Sequence, residues 1–217
     1  YIQVIVTIFM MLFGTNFAFY YLIIAKKVKD AFCMEEVKAY FAIFTAATLL
    51  IAFNILSQMG NVGDSLRHAA FQVASIMTTT GFATTDFDQW PEFSRTLLVM
   101  LMFIGACAGS TGGGIKVSRI LMYMKTIKKE LGILIHPRSV KIVMMDGKKL
   151  DHPVVRAANI FLISYAGILV ASILLLTIDN FDFTTNVTAV ISALNNIGPG
   201  LSLVGPAGNF AFFSGFS

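Results

Sequence analysis

The first 25 residues, Tyr1 to Ala25, contain no charged side chain. About 20 consecutive helical residues of this kind cross the hydrocarbon core of a bilayer, so such a run leaves few ways to fold in water. Three further segments read as spans: 40–59, 91–131 with an interruption, and 153–178. Composition agrees. Of 217 residues 56% are hydrophobic and only 13% charged, with a mean hydropathy of +0.76, against about 25% charged in an ordinary soluble domain. The expected fold class is an all-α membrane protein.

A net charge of +4 and a pI near 9.1 would suit nucleic acid, so the placement of the basic residues has to decide. Lys26, Lys27, Lys29 and Lys38 follow the first span, and ten more lie between Lys116 and Arg156: fourteen of the 16 fall on one side of the spans. Arg67 and Arg95 share the other side with Asp64, Asp86, Asp88, Glu92, Asp179 and Asp182. By the positive-inside rule the basic side is cytoplasmic. The sides alternate through all four spans, so the lysines and arginines are topology signals rather than a nucleic-acid surface. Cys33 and Cys107 form no CxxC pair, which argues against a disulfide framework or structural zinc. Cys107 reads as a small packing residue. His68, His136 and His152 are too scattered for a metal site, and Trp90 beside Pro91 reads as an outer-interface anchor. The chain begins at Tyr1 and stops after an apolar Phe/Gly stretch, so it reads as a piece of a longer polypeptide.

Two short segments repeat at a constant offset of 117, Gly81 falling on Gly198 and Ser75 on Ser192. Ser65–Met77 then matches Asp182–Leu194, each too short to cross a membrane and each followed by a glycine-bearing loop: Thr79-Thr80-Gly81-Phe82-Ala83 and Asn196-Ile197-Gly198-Pro199-Gly200. Repetition at fixed spacing is an architectural signal even where side chains differ. Irregular backbone at membrane depth is tolerated only when buried in protein or lining a watery cavity. A short helix re-entering from outside presents its C-terminal, partly negative end near mid-membrane, which favours a cation. Carbonyl oxygens exposed there replace the hydration shell of a monovalent ion. Neither loop carries an Asp or Glu ring suited to a divalent ion. Ordinary helix breaks in a transporter would give one such loop; a second in register favours a pore.

Two spans are interrupted. Gly14-Thr15-Asn16 breaks the first near its middle, and Gly105 to Gly114 breaks the third. In a helix each glycine of the Gly112-Gly113-Gly114 triplet costs about 1 kcal/mol relative to alanine, so this stretch should unwind, beneath the first glycine-bearing loop. A P-loop would need GxxxxGK[ST]; Lys116 comes one place late and Val117 follows it, which excludes that motif. A packing kink is the alternative to a movable obstruction. Lys116 either snorkels to the cytoplasmic interface or sets an electrostatic barrier below the loops.

Thr79-Thr80-Gly81-Phe82, Gly109-Ser110-Thr111-Gly112-Gly113-Gly114-Ile115-Lys116 and Asn195-Asn196-Ile197-Gly198-Pro199-Gly200 together resemble the Trk/Ktr/HKT superfamily of potassium transporters, nearest its bacterial TrkH type. The tail Gly205-Pro206 with Gly208-Asn209-Phe210 is similar as well, and the resemblance covers essentially the entire chain. It implies repeated helix–pore-helix–helix units, potassium-channel-like, around one pseudo-fourfold pore. Residues 1–25 would be the last helix of an upstream repeat. The third repeat would occupy 39–131, with helix 40–59, pore helix 65–77, filter 78–83 and broken helix 91–131. A cytoplasmic linker, 132–151, would lead to an incomplete fourth repeat, 152–217, with helix 153–178, pore helix 182–195 and filter 195–200.

The resemblance further implies that potassium is the transported ion, met by backbone carbonyls of Thr79, Thr80, Gly81, Asn196, Ile197 and Gly198. Gly109, Ser110, Thr111, Gly112, Gly113, Gly114 and Lys116 would form an intramembrane gate. Only the glycine is shared with the TVGYG filter of potassium channels, which implies fewer well-formed ion sites. Expected partners are the lipid bilayer of the bacterial inner membrane, a second pore subunit in a homodimer, and a cytoplasmic RCK-type nucleotide-binding subunit of the TrkA or KtrA kind. The basic segment 125–149 suits such docking and equally suits anionic headgroups. A secondary transporter with discontinuous helices is the rival reading; the spans so read carry no central Asp, Glu or His for coupling. No nucleophile–base pair or metal cluster points to an enzyme, and no organic cofactor is expected.

Overall fold

The computed structural model describes residues 1–136 and 142–214. Pro137, Arg138 and Lys141 of the linker, and the last three residues assigned to the fourth repeat, lie outside the described residues.

The uncharged first segment forms two helices, α1 (Ile2–Phe13) and α2 (Phe17–Ile24), bent by 87° at the Gly14–Asn16 break. Asn16 makes the corner: its side-chain oxygen accepts from the Ala18 N–H at 2.9 Å and starts α2. A short α3 (Val28–Cys33) leads to α4 (Glu35–Met59), which therefore begins five residues before the expected Tyr40. Gly60, at φ +67°, closes α4 in the left-handed conformation that glycine adopts without penalty. After one residue α5 (Val62–Met77) turns back, capped by the Asn61 side chain on the Gly63 N–H. The sequence had placed its start three residues later, at Ser65.

The broken span becomes α6 (Glu92–Phe103) and α7 (Val117–Ile135), with residues 104–116 non-helical between them. A two-residue hairpin, β1 (Met144–Met145) with β2 (Lys148–Lys149), occupies the linker. It docks on the start of α4 through Asp146, whose carboxylate accepts from the Glu35 N–H at 2.7 Å. The last two helices are α8 (His152–Leu176) and α9 (Phe183–Leu194).

The core gathers around α5, which packs against α1, α4 and α6 and is buried continuously from Phe71 to Met77. Tyr40, Ile51 and Ile55 of α4 and Leu98 and Met102 of α6 complete it. The opposite face of α4 shows Phe41, Leu49, Leu50 and Phe53, and most of α8 is exposed although an 18-residue stretch of residues 152–179 has a mean hydropathy of 2.4. Each large apolar side chain left in water forgoes about 1.5–3 kcal/mol, so these faces call for hydrocarbon. Helices α7 and α8 are joined near the 132–151 linker, with the Arg119 guanidinium 4.2 Å from the Phe161 ring centroid and the Tyr123 hydroxyl donating to the Ala158 carbonyl at 2.6 Å. Trp90 corrects an expectation: it is 4% exposed and sits beside Phe87 in the core rather than at the interface.

Asp182 caps α9, accepting from the Thr185 N–H at 3.0 Å and the Thr185 hydroxyl at 2.5 Å. These bonds hold its carboxyl below the usual range, so its stabilisation is complete at neutral pH and fades only as the solution is acidified through the lowered value. Asp182→Ala should cost about 1 kcal/mol, read as a lower melting temperature in detergent at pH 7, with the difference from the parent shrinking at strongly acidic pH.

Candidate functional site

Helices α5 and α9 run into two turns with the same backbone path. Thr79 and Asn196, 117 residues apart, stand at φ +55° and +56°, and Gly81 and Gly198 at +77° and +118°. Hydrogen bonds repeat in the same register. The Thr80 and Ile197 N–H groups both donate at 2.9 Å, to the Ser75 and Ser192 carbonyls. The side chains of Thr78 and Asn195 reach back to the Ala74 and Ile191 carbonyls at 2.7 and 2.8 Å. A left-handed β-branched residue such as Thr79 is a strained choice, costing about 1–3 kcal/mol. It is held there because its Oγ1 accepts from the Gly113 N–H at 2.8 Å.

The two turns converge. A Cβ on Gly81 would stand 2.1 Å from the Ile197 carbonyl oxygen, and one on Gly198 only 3.8 Å from the Gly81 Cα. Glycine at 81 is thus required by space as well as by φ. Among the described residues, the carbonyls of Thr79, Thr80, Gly81, Asn196 and Ile197 accept no hydrogen bond, whereas that of Gly198 accepts from the Ser192 hydroxyl at 2.7 Å. Backbone carbonyls in a folded protein nearly always find a partner. Five without one, on two converging turns, form a set of oxygens suited to a desolvated monovalent cation.

The segment 104–116 lies against both turns at register-equivalent residues. A Cβ on Gly112 would be 3.2 Å from the Thr78 carbonyl oxygen and one on Gly113 only 2.3 Å from the Asn195 carbonyl oxygen. Asn195 is braced from the other side by the Tyr165 hydroxyl of α8, at 2.9 Å from its amide nitrogen. The triplet is therefore a matter of close approach and not of helix propensity alone. Lys116 does not snorkel outward; its ammonium turns back to the Gly112 carbonyl.

The far side of the loop is pinned to the bend between α1 and α2. The Cys107 N–H donates to the Gly14 carbonyl at 3.0 Å, the Phe17 N–H to the Gly109 carbonyl at 3.2 Å, and the Thr111 hydroxyl to the Phe13 carbonyl at 3.4 Å. Cys107 is fully buried there. Glu36, which lies among the lysines after the first span, is the residue that sequence reasoning missed. Only 3% exposed in the first turn of α4, it accepts hydrogen bonds from the Ala108 N–H, the Ser118 N–H and the Asn16 amide. The doublet Glu35-Glu36 just before a span was the available signal.

Comparison with known proteins places this geometry. The family model described as TrkH, cation transport protein, matches residues 1–217. The Trk system potassium uptake protein TrkH of Salmonella typhimurium is 34% identical over 215 residues, which is 97% of this chain and 44% of that protein. The corresponding TrkH of Vibrio parahaemolyticus is 45% identical over 141 residues, covering 65% of this chain and 29% of the relative. The crystal structure of the potassium transporter TrkH from Vibrio parahaemolyticus superposes with a TM-score of 0.87 at 36% identity, over 96% of this chain and 45% of that one. The chain thus spans less than half the length of these relatives, and it belongs to the TrkH family of cation transport proteins.

Proposed function

We propose that this chain supplies two of four filter turns to a potassium-uptake pore in the bacterial cytoplasmic membrane, with the glycine-rich loop as its gate. One observation carries the reading: two turns with the same dihedral pattern, 117 residues apart, converge with five unpaired carbonyls, and the loop 104–116 lies against both. Two further turns, from the remainder of the full-length protein, would complete a pseudo-fourfold ring. Relatives named potassium uptake proteins at 34–45% identity support potassium as the ion.

Transport of this kind needs no covalent chemistry. The ion sheds water against the carbonyls of Thr79, Thr80, Gly81, Asn196 and Ile197, with Gly198 offering its second lone pair, while the C-terminal ends of α5 and α9 point their partial negative charge the same way. Potassium is cargo rather than a resident cofactor. Gly109 to Gly114 and Lys116 obstruct the path on the cytoplasmic side, and displacement of the loop opens it. The concave cytoplasmic surface lined by Lys125, Lys128, Lys129 and Ile142 to Met144 suits a nucleotide-binding regulatory subunit, and pairing of two pore subunits follows the family pattern.

Complementation of a potassium-uptake-deficient bacterium by the full-length protein tests the assignment: growth in low potassium is expected, and failure despite normal expression would overturn it. Gly81→Ser places a Cβ against the Ile197 carbonyl and should lower rubidium uptake at least tenfold, equivalent to about 1.4 kcal/mol at the barrier. Gly113→Ala should push the loop away from Asn195 and raise rubidium leak several-fold. A leak equal to that of the parent protein at equal expression would remove the loop from the ion path.

A further inference from the structure

Glu36 makes none of its side-chain hydrogen bonds within its own helix. Oε1 accepts from the Ala108 N–H at 2.6 Å and from the Ser118 N–H at 3.0 Å, and Oε2 accepts from the Asn16 amide at 3.0 Å. The two backbone donors flank the glycine triplet on either side, so one carboxylate ties the outgoing and returning strands of the loop together. Ser118 lies in the first turn of α7, a helix whose own N-cap residue, Lys116, gives no side-chain cap. The carboxylate of Glu36 takes that place from another helix, where it also meets the positive end of the α7 dipole. Hydrogen bonds from backbone N–H to an ionised carboxylate are about twice as strong as neutral ones.

We propose that Glu36 is the positioning residue of the gate, a latch that holds the glycine-rich loop against the filter turns and must release Ala108 or Ser118 before the loop can move. This rests on the proposed obstruction of the ion path by the loop. The latch is also joined to the first span, because Asn16 binds Glu36 with its amide while its oxygen is committed to the Ala18 N–H at 2.9 Å. Asn16 therefore has a fixed orientation: it can offer Glu36 a donor and nothing else.

That fixed orientation supplies the test. In Glu36→Gln the side-chain oxygen can still accept from Ala108 and Ser118, but its new NH2 faces the NH2 of Asn16. In Asn16→Asp two carboxylates face each other. Combining them restores every bond: Asp at 16 accepts from Gln at 36 and still caps Ala18, with the charge moved across by one side chain. Cys107, fully buried in the loop, reports the loop's position without any ion flux. In full-length protein with Cys33→Ser, and any cysteine outside this chain replaced as well, the rate of maleimide labelling of Cys107 in native membranes is measured beside rubidium leak.

Each single variant should label at least tenfold faster than the parent and leak several-fold more, and the double variant should return both to within twofold. A purely structural carboxylate would lower protein yield without this reciprocal rescue. Parent-like labelling and leak in Glu36→Gln at normal yield would overturn the proposal, as would fast labelling in a well-folded double variant. If Glu36→Gln does not accumulate, the double variant alone decides: slow labelling supports the latch and fast labelling overturns it. Absence of rubidium uptake by the parent would defeat the transport reading, while Cys107 labelling would still judge the latch.

Discussion

A peptide group that leaves a helix within a bilayer has no water to turn to, and each unsatisfied one costs several kcal/mol. Two breaks in this chain, at Gly14–Asn16 and at residues 104–116, face that constraint, and each supplies partners to the other. Gly14 and Phe13 offer carbonyls to Cys107 and Thr111, and Phe17 returns an N–H to Gly109. Glu36 accepts from two further donors, the N–H groups of Ala108 and Ser118. The 87° bend of the first segment is thus the counterpart of the unwound third span, and neither is intelligible without the other. With both in place, the loop is set against the two glycine-bearing turns on one side and the bend on the other.

The same constraint explains where glycine is used. On one side of the loop the neighbours are the carbonyl oxygens of Thr78 and Asn195, close enough that a side chain would cover them. A methyl group at Gly113 would intrude to 2.3 Å from one of them. Helix propensity alone would have allowed the triplet anywhere in the break. Close approach requires glycine at 112 and 113 against the two turns and at 114 against Gly105.

Much of this was legible in the sequence because it depends on short-range pattern. The offset of 117 was visible in glycines and serines, and it carries through to dihedral angles at Thr79 and Asn196 that the side chains do not announce, since threonine rarely adopts a positive φ. Both short helices form, α5 starting three residues earlier than expected because Asn61 supplies the cap. What escaped was long-range. Glu36 looked like one more charge in a polar linker, because its partners lie 20, 72 and 82 residues away. Lys116 looked free to reach the headgroups until the Gly112 carbonyl was found within its reach. Trp90 has the composition of an interfacial anchor, yet the packing of Phe87 and the outer turn encloses it.

The two turns are alike but not equal, and the difference follows from one residue. Where the first has Phe82 the second has Pro199. In the first turn the Ser75 hydroxyl reaches past the glycine to the Phe82 carbonyl at 2.6 Å, leaving the Gly81 oxygen unengaged. In the second the Ser192 hydroxyl stops one residue sooner, at the Gly198 carbonyl, and the same oxygen of Ser192 accepts the Gly198 N–H at 3.0 Å. Proline fixes its own φ and restricts the residue before it, so Gly198 takes a wider φ of +118° and turns its carbonyl back toward α9. The two turns are thus unequal at the glycine level. The carbonyls left unpaired in both turns are those of Thr79 with Asn196 and Thr80 with Ile197, while at the glycine level only the first turn leaves one unengaged.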